Sequence, residues 1–267
     1  MSRRLLIGGS IVGALAGAGL LSLAWTPGRV SGFRVADRLK APLEAGLLGT
    51  DQLGRDVLSL LMAGAANSLG IACAAVAAGL VAGAAVGLLA AARGGILDAA
   101  LMRVMDVVFA VPPILSAMML AAFLGGGPET ATIAIAVFTV PVFARVARAG
   151  AMRVLKRDFV LAARGAGKSS ARIAAEHVAP NVAGDLLVQA TLQLGLAILT
   201  EAGLSFLGLG LAPPAPSWGR MLADSQTFFL QAPWLALAPG LAIALAVLGF
   251  NLLGDGLRDR FDPRRSP

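Results

Sequence analysis

Two long stretches of this sequence carry no charged residue at all, Leu5–Trp25 and Asn67–Ala92. That limits what the chain can become more than any other feature. A helix rises about 1.5 Å per residue, so about 20 apolar residues cross the hydrocarbon core of a bilayer. Helices are favoured there because they satisfy their own backbone polar groups. Four more predominantly apolar stretches follow, with few charges: Ile96–Leu124, Glu129–Arg148, Asn181–Gly203 and Pro233–Gly254. The expected fold class is therefore all-α, a polytopic membrane protein with six transmembrane helices. Composition agrees. Of 267 residues 57% are hydrophobic and 14% charged, where soluble domains average about a quarter charged. The 33 glycines suit helices that must approach closely in lipid, where no hydrophobic drive brings them together.

The first run follows Ser2-Arg3-Arg4, a start that resembles an export signal. Its apolar part exceeds a usual signal core and more spans follow, so it reads as an anchor that stays. The third run contains Asp98, Arg103 and Asp106 and then Pro112-Pro113, where a kink or break is expected. Between the first two spans, residues 26–64 carry nearly balanced charges and read as a connection with a short amphipathic helix near Asp56–Met62. The chain thus divides at residue 64. An N-terminal helix and its connection (1–64) precede a core of five helices (65–267) with a long loop at about 145–180.

That loop fixes the orientation. Between Arg145 and Arg172 stand eight basic residues, opposed only by Asp158. Cytoplasmic connections carry the excess of Lys and Arg. Arg3, Arg4, Arg93, the loop and the tail arginines Arg258, Arg260, Arg264 and Arg265 fall at alternate connections. Six spans with both termini in the cytoplasm satisfy them all. The net charge of +7 accordingly reads as membrane orientation. Lipid is the expected surrounding and nucleic acid is not an expected partner, since the aromatics are not interleaved with the basic residues.

Catalytic and metal chemistry find little material. Cys73 is the only cysteine and His177 the only histidine, so no intrachain disulfide and no zinc ligand set can form. No catalytic residue, metal ligand or cofactor is expected in this chain. Asp106, Asp185 and Glu201 lie in or near apolar spans, where ionisable groups are costly and often functional. They are candidates for a transport path or gate. Each also has a plainer reading: Asp106 paired with Arg103 one turn earlier, Asp185 at the membrane boundary, Glu201 capping the bundle. The methionines read as packing residues. Gly208-Leu209-Gly210 reads either as an outer loop that meets a partner or covers the path, or as an ordinary connection.

Asp158–Asn181 reads as two short helices about a Gly-Lys-Ser-Ser turn. Gly167 suits a helix C-terminal cap, Ser169 or Ser170 an N-cap, and Pro180 the first turn of the next span. Gly165-Ala166-Gly167-Lys168-Ser169 imitates the end of a phosphate-binding loop. The position of that motif's first glycine holds Ala162, and no strand is expected before it, so nucleotide binding is not expected here. His177 is expected to make a structural hydrogen bond rather than to ligate nickel.

The segment resembles the EAA loop of ABC importer permeases. Ala162, Ala163, Gly167 and Pro180 fall in its register, while Leu161, His177 and Ala179 depart from it. Four other stretches resemble the dipeptide, oligopeptide and nickel permeases, in particular the second permease of such systems. They are Leu48–Asp56, Arg103–Asp106 with Pro112 beyond, Leu204–Gly210, and Asn251–Asp259 before Asp262-Pro263. The resemblance implies a type I importer permease in the inner membrane of a bacterium. It implies a second homologous permease, two cytoplasmic ABC ATPases that hold ATP and magnesium, and an extracytoplasmic solute-binding protein. It also implies an ATPase-coupling loop at Ala162, Ala163, Gly167, Lys168, Ser169, Ser170, Arg172, Ile173, His177 and Pro180. Short peptides are the expected solute, with nickel or another small solute as the alternative within the family. An ion-driven transporter would need ionisable groups converging at the midplane. An intramembrane enzyme would need a catalytic pair that the sequence lacks.

Overall fold

The computed structural model describes residues 3–261; Ser2, Asp262-Pro263 and the tail residues Arg264 and Arg265 lie outside them. The described residues form ten α-helices: α1 (Arg3–Ser22), α2 (Val57–Arg93), α3 (Gly95–Ala110), α4 (Pro113–Leu124), α5 (Pro128–Val154), α6 (Asp158–Gly165), α7 (Ser170–Ile173), α8 (Ala179–Phe206), α9 (Trp218–Ser225) and α10 (Trp234–Phe261). Among the described residues the only β pairing is one isolated bridge, Thr50 with Asp56. Among the described residues five helices are long and apolar enough to cross a membrane, counting α7 and α8 as one, and six spans result if α3 and α4 together make a broken one.

The break lies where the prolines stand. Val111 leaves the helical region with φ −88° and ψ 125°, because the residue before a proline is pushed toward extended conformations. Pro113 then opens α4, whose axis turns 86° from that of α3.

Two expectations are corrected. The short amphipathic helix near Asp56–Met62 and the span from Asn67 are one helix, α2, 37 residues long. Nothing between them breaks a helix. The side chain of Asp56 accepts the Ser59 N–H and caps the start. At about 1.5 Å per residue α2 reaches about 55 Å, well beyond a bilayer core. The division at residue 64 falls inside it, with no break on either side. Likewise the fifth span does not begin afresh near Asn181. One helical rod runs from Ser170 to Phe206, with a π-helical turn at Ala174–Val178 just ahead of Pro180. Proline lacks an N–H and its ring crowds the carbonyl four residues back. The wider turn accommodates both faults without ending the helix.

Close packing on glycine builds the centre. Gly79, Gly83 and Gly87 lie one turn apart on α2 against Thr139, Val140 and Ala144 of α5. A Cβ at Gly83 would come within 2.5 Å of the Val140 carbonyl oxygen. α1 is seated on α10 in the same way, with Gly8 against the backbone of Gly249 and Leu253. The main core fills with Leu69, Ile71, Phe143, Ile198, Leu204 and Trp218.

The packing sorts the connections to two ends. Leu5 lies against Gly256, and Phe261 against Gly184. Leu88 and Ala91 pack with Val160 and Ile173. The N-terminal arginines, Arg93, the 155–170 loop and the end of α10 therefore share one end, called here the basic end. Residues 26–56, the turn 125–127 and α9 gather at the opposite end, where Gly127 N–H donates to the Leu209 carbonyl and Asn67 Nδ2 to the Pro216 carbonyl.

Candidate functional site

The basic loop folds as a helical hairpin on its own small core. α6 ends in a Schellman arrangement. Lys168 N–H donates to the Ala163 carbonyl, and Gly167 N–H to the Arg164 carbonyl. Gly167 takes φ +78°, a left-handed conformation that disfavours any residue with a Cβ. Ser169 then caps α7 by accepting the Arg172 N–H. Of the two serines that the sequence offers, the structure selects the first. What resembled a phosphate-binding loop is this helix-to-helix turn.

Beneath the hairpin, Ala151, Val160, Ala163, Ile173, Val178 and Val182 form a buried cluster, with Leu88, Leu155 and Leu186 against it. Ala163 and Ile173 face inward, while Ala162, Gly167, Ser169, Ser170, Arg172 and Pro180 are exposed. On the outer side Phe159 and Leu161 stand 47% and 53% exposed. Leu161 is thus an outward-facing group.

Charges hold the hairpin in shape. Glu176 takes Lys168 Nζ and Arg172 Nε, each at 2.6 Å. His177 Nε2 lies 3.4 Å from Lys168 Nζ, and the His177 ring meets Phe159 edge-on at 5.9 Å. His177 thus sits within the loop network. Among the described residues no group of three His, Cys, Asp or Glu is placed to hold a metal.

The three acids of the apolar spans meet different fates. Asp106 does not pair with Arg103. Its Oδ1 accepts Arg145 Nη2 of α5 at 2.9 Å, and the guanidinium covers the Phe109 ring at 4.8 Å. Asp185 pairs with Arg153 Nη2 at 2.5 Å, at the basic end, with both side chains half or more exposed. Glu201 is wholly buried. Its Oε1 accepts the Ser205 hydroxyl at 2.6 Å, Ser68 and Ser217 lie near the same carboxyl, and its buried Oε2 has no hydrogen-bond partner among the described residues. Ser68 in turn accepts the Trp218 N–H. Glu201 therefore sits buried where α2 and α8 meet the start of α9, and presents nothing to an open face of this chain.

Two features escape the sequence. One is a bidentate pair, Arg148 Nε and Nη2 on the two oxygens of Asp98, which fixes α3 to α5 near the basic end. Fifty residues separate the partners, so only the helix packing could reveal it. The other is a groove of about 450 Å³ at the opposite end, between Ser31–Phe33, Gln52–Arg55 and Pro213–Met221. One wall is the Leu48–Asp56 stretch. Asp51 accepts the N–H groups of Leu53 and Arg55 and the Arg55 side chain, so the stretch is a turn closed on itself. Asp224 lines the groove, and burial pushes its carboxyl above the usual range while Arg220 and Arg55 pull it down. The Leu207–Gly210 connection is bound into the fold through Leu209, whose N–H donates to the Leu204 carbonyl.

Comparison with known proteins agrees with this architecture. The profile of the family described as binding-protein-dependent transport system inner membrane component matches residues 83–267. The dipeptide transport system permease protein DppC of Alkalihalophilus pseudofirmus is 42% identical over 229 residues, covering 86% of this chain and 75% of that one. The di/tripeptide transport system permease protein DppC of Pseudomonas aeruginosa is 46% identical, covering 82% and 72%. The glutathione transport system permease protein GsiD of Escherichia coli is 44% identical, covering 81% and 71%. Among solved structures, an inward-facing MetNI methionine ABC transporter shares the fold at a TM-score of 0.62, with 19% identity, over 76% of this chain and 97% of that one.

Proposed function

Because this chain belongs to the family of binding-protein-dependent transport system inner membrane components, we propose that it is the second permease of an ATP-driven importer of short peptides. The relatives at 41–46% identity are named for dipeptides, di- and tripeptides and glutathione, which favours a short peptide over nickel. In this reading a homologous permease supplies the other half of the path. Two cytoplasmic ATPases bind ATP and magnesium and carry out the hydrolysis, so this chain is not itself an enzyme. A binding protein delivers solute to the opposite end. The chain lies in the bacterial cytoplasmic membrane with the basic end and both termini inside, as the distribution of Lys and Arg favours.

One observation carries the coupling role. The α6–α7 hairpin rests on its own apolar core and continues through the π turn into α8 without a joint. A push on the exposed face around Phe159 and Leu161 would therefore move a rod of about 55 Å. In this reading Ala162, Gly167, Lys168, Ser169, Ser170 and Arg172 form the face toward the ATPase. Ala163 and Ile173 seat the hairpin, His177 braces it, and Pro180 sets the π turn that joins it to the span. Asp185, paired at the basic end, stays a candidate for the inner mouth of the path.

The test is reconstitution of the complete importer in proteoliposomes with its binding protein and a radiolabelled dipeptide. ATP-dependent uptake is expected in the parent complex. Gly167→Val places a β-branched residue at φ +78°, a strain of about 1–2 kcal/mol. The space around Gly167 is open, so the strain is local. Uptake and peptide-stimulated ATP hydrolysis are expected to fall together while the chain inserts and assembles normally. Undiminished uptake by this variant would remove the coupling role.

A further inference from the structure

α3 carries two carboxylates two turns apart, each meeting an arginine of α5, and the two pairs differ in exposure. Asp98 is sheltered, at 15%, and both its oxygens are held by Arg148. Asp106 is 54% exposed and its partner Arg145 43%, joined by one contact. Eight residues of helix put Asp106 about 12 Å farther than Asp98 from the basic end. Its sequence neighbours are Val104, Met105, Val107 and Val108, with the exposed Arg103 one turn nearer the basic end. Charges at that depth avoid hydrocarbon, so the half-exposed face of α3 and α5 meets a water-filled path or another protein chain. The axis of α4 turns away at Pro112. Phe109 lies under the Arg145 guanidinium and stacks on Phe138 at 5.3 Å between centroids. The acid, the base and an aromatic shelf thus share one face that is open in this chain.

We infer that Asp106 and Arg145 form a station on the transport path for a short zwitterionic peptide, Asp106 taking its ammonium and Arg145 its carboxylate. The inference rests on the peptide reading above. A solvated ion pair is weakly held, so exchanging it for the two ends of a zwitterion is nearly balanced. A solute of single charge would satisfy one member and leave the other facing a like charge or nothing. Arg145 gives Asp106 a hydrogen bond from Nη2, and its planar fork has four further N–H donors for a carboxylate. Phe109 and Phe138 offer the peptide's side chain an apolar surface. Asp98 and Arg148, held at two points, position the two helices and do not exchange.

The test uses the complete importer in proteoliposomes and compares uptake of a free dipeptide, its N-acetyl form and its C-terminal amide. Each variant is expressed relative to the parent complex for the same peptide, which cancels the selectivity of the binding protein. Asp106→Asn is expected to slow the free dipeptide about tenfold and the N-acetyl form less than about twofold. Arg145→Gln is expected to do the same for the free dipeptide against the amide. Equal slowing of all three peptides, or none, overturns the station and leaves the pair a structural bridge. A parent complex that assembles and hydrolyses ATP but imports no peptide overturns the peptide reading and the ligand named here. Access of water to that face is read separately. In a Cys73→Ser background, which removes the only native cysteine, Asp106→Cys is expected to react with a charged thiol reagent and Met105→Cys, buried beside it, to stay unmodified. An unreactive Asp106→Cys means that lipid or the second permease covers the position, and the station is overturned.

Discussion

The two ends of the molecule are held together in different ways. At the basic end the hairpin of α6 and α7 is a local structure: a Schellman turn, a serine cap, a glutamate between two cations and a cluster of small apolar residues. Most of these partners lie within about thirty residues of one another. At the opposite end the ties are long-range and buried. Ser68 accepts the Trp218 backbone N–H, Leu61 accepts the Trp218 indole N–H, and Asn67 reaches Pro216. Buried polar networks of this kind specify one arrangement, because each unpaired member is expensive. A locally closed hairpin on a continuous rod can instead move as a unit without rearranging its own contacts. The contrast suits the proposed coupling role, in which one end is pushed and the other keeps its form.

Three substitutions sharpen or break this contrast. The largest effect is expected from Gly219→Val. A Cβ there would stand 2.2 Å from the Ala202 carbonyl oxygen, so α9 cannot keep its seat on α8. Overpacking against backbone costs about 3 kcal/mol or more. The apparent melting temperature of the solubilised complex should drop, and limited proteolysis should cut between residues 207 and 225. Cleavage confined to the basic loop would contradict the idea that the opposite end is the interlocked one.

Next comes Ile173→Ala, which empties the centre of the hairpin's core. Ile173 is 2% exposed, and removing such a side chain costs about 2–3 kcal/mol where neighbours can partly close the gap. Faster hydrogen exchange is expected at 155–180, with protection at 200–225 unchanged. Equal loosening of both ends would show that the hairpin is not an independent unit.

The smallest effect belongs to Arg172→Ala. Arg172 is exposed and keeps an i,i+4 pair with Glu176, while Lys168 still holds the second oxygen. Exposed pairs contribute little to stability, so the melting temperature should not move measurably. A large drop would mean that charge, and not the apolar seat, holds the hairpin.

Much of this could be read in order along the chain. The apolar runs determined that the fold is helical and crosses a membrane, because bilayer thickness and backbone hydrogen bonding leave few alternatives. The proline pair located the break in the third span, and Gly167 and the serines located the turn of the loop, since these residues act through their own backbone geometry. Other features depended on what came to lie beside them. The fusion of residues 57–67 into α2 and the π turn ahead of Pro180 follow from cooperative helix growth, which no single residue announces. The exchange of Arg103 for Arg145 as the partner of Asp106, the burial of Glu201 and the pairing of Asp98 with Arg148 were decided by tertiary structure alone. An ion pair or a buried hydrogen bond needs two groups within about 3 Å, and for partners tens of residues apart only the packing of the helices sets that distance.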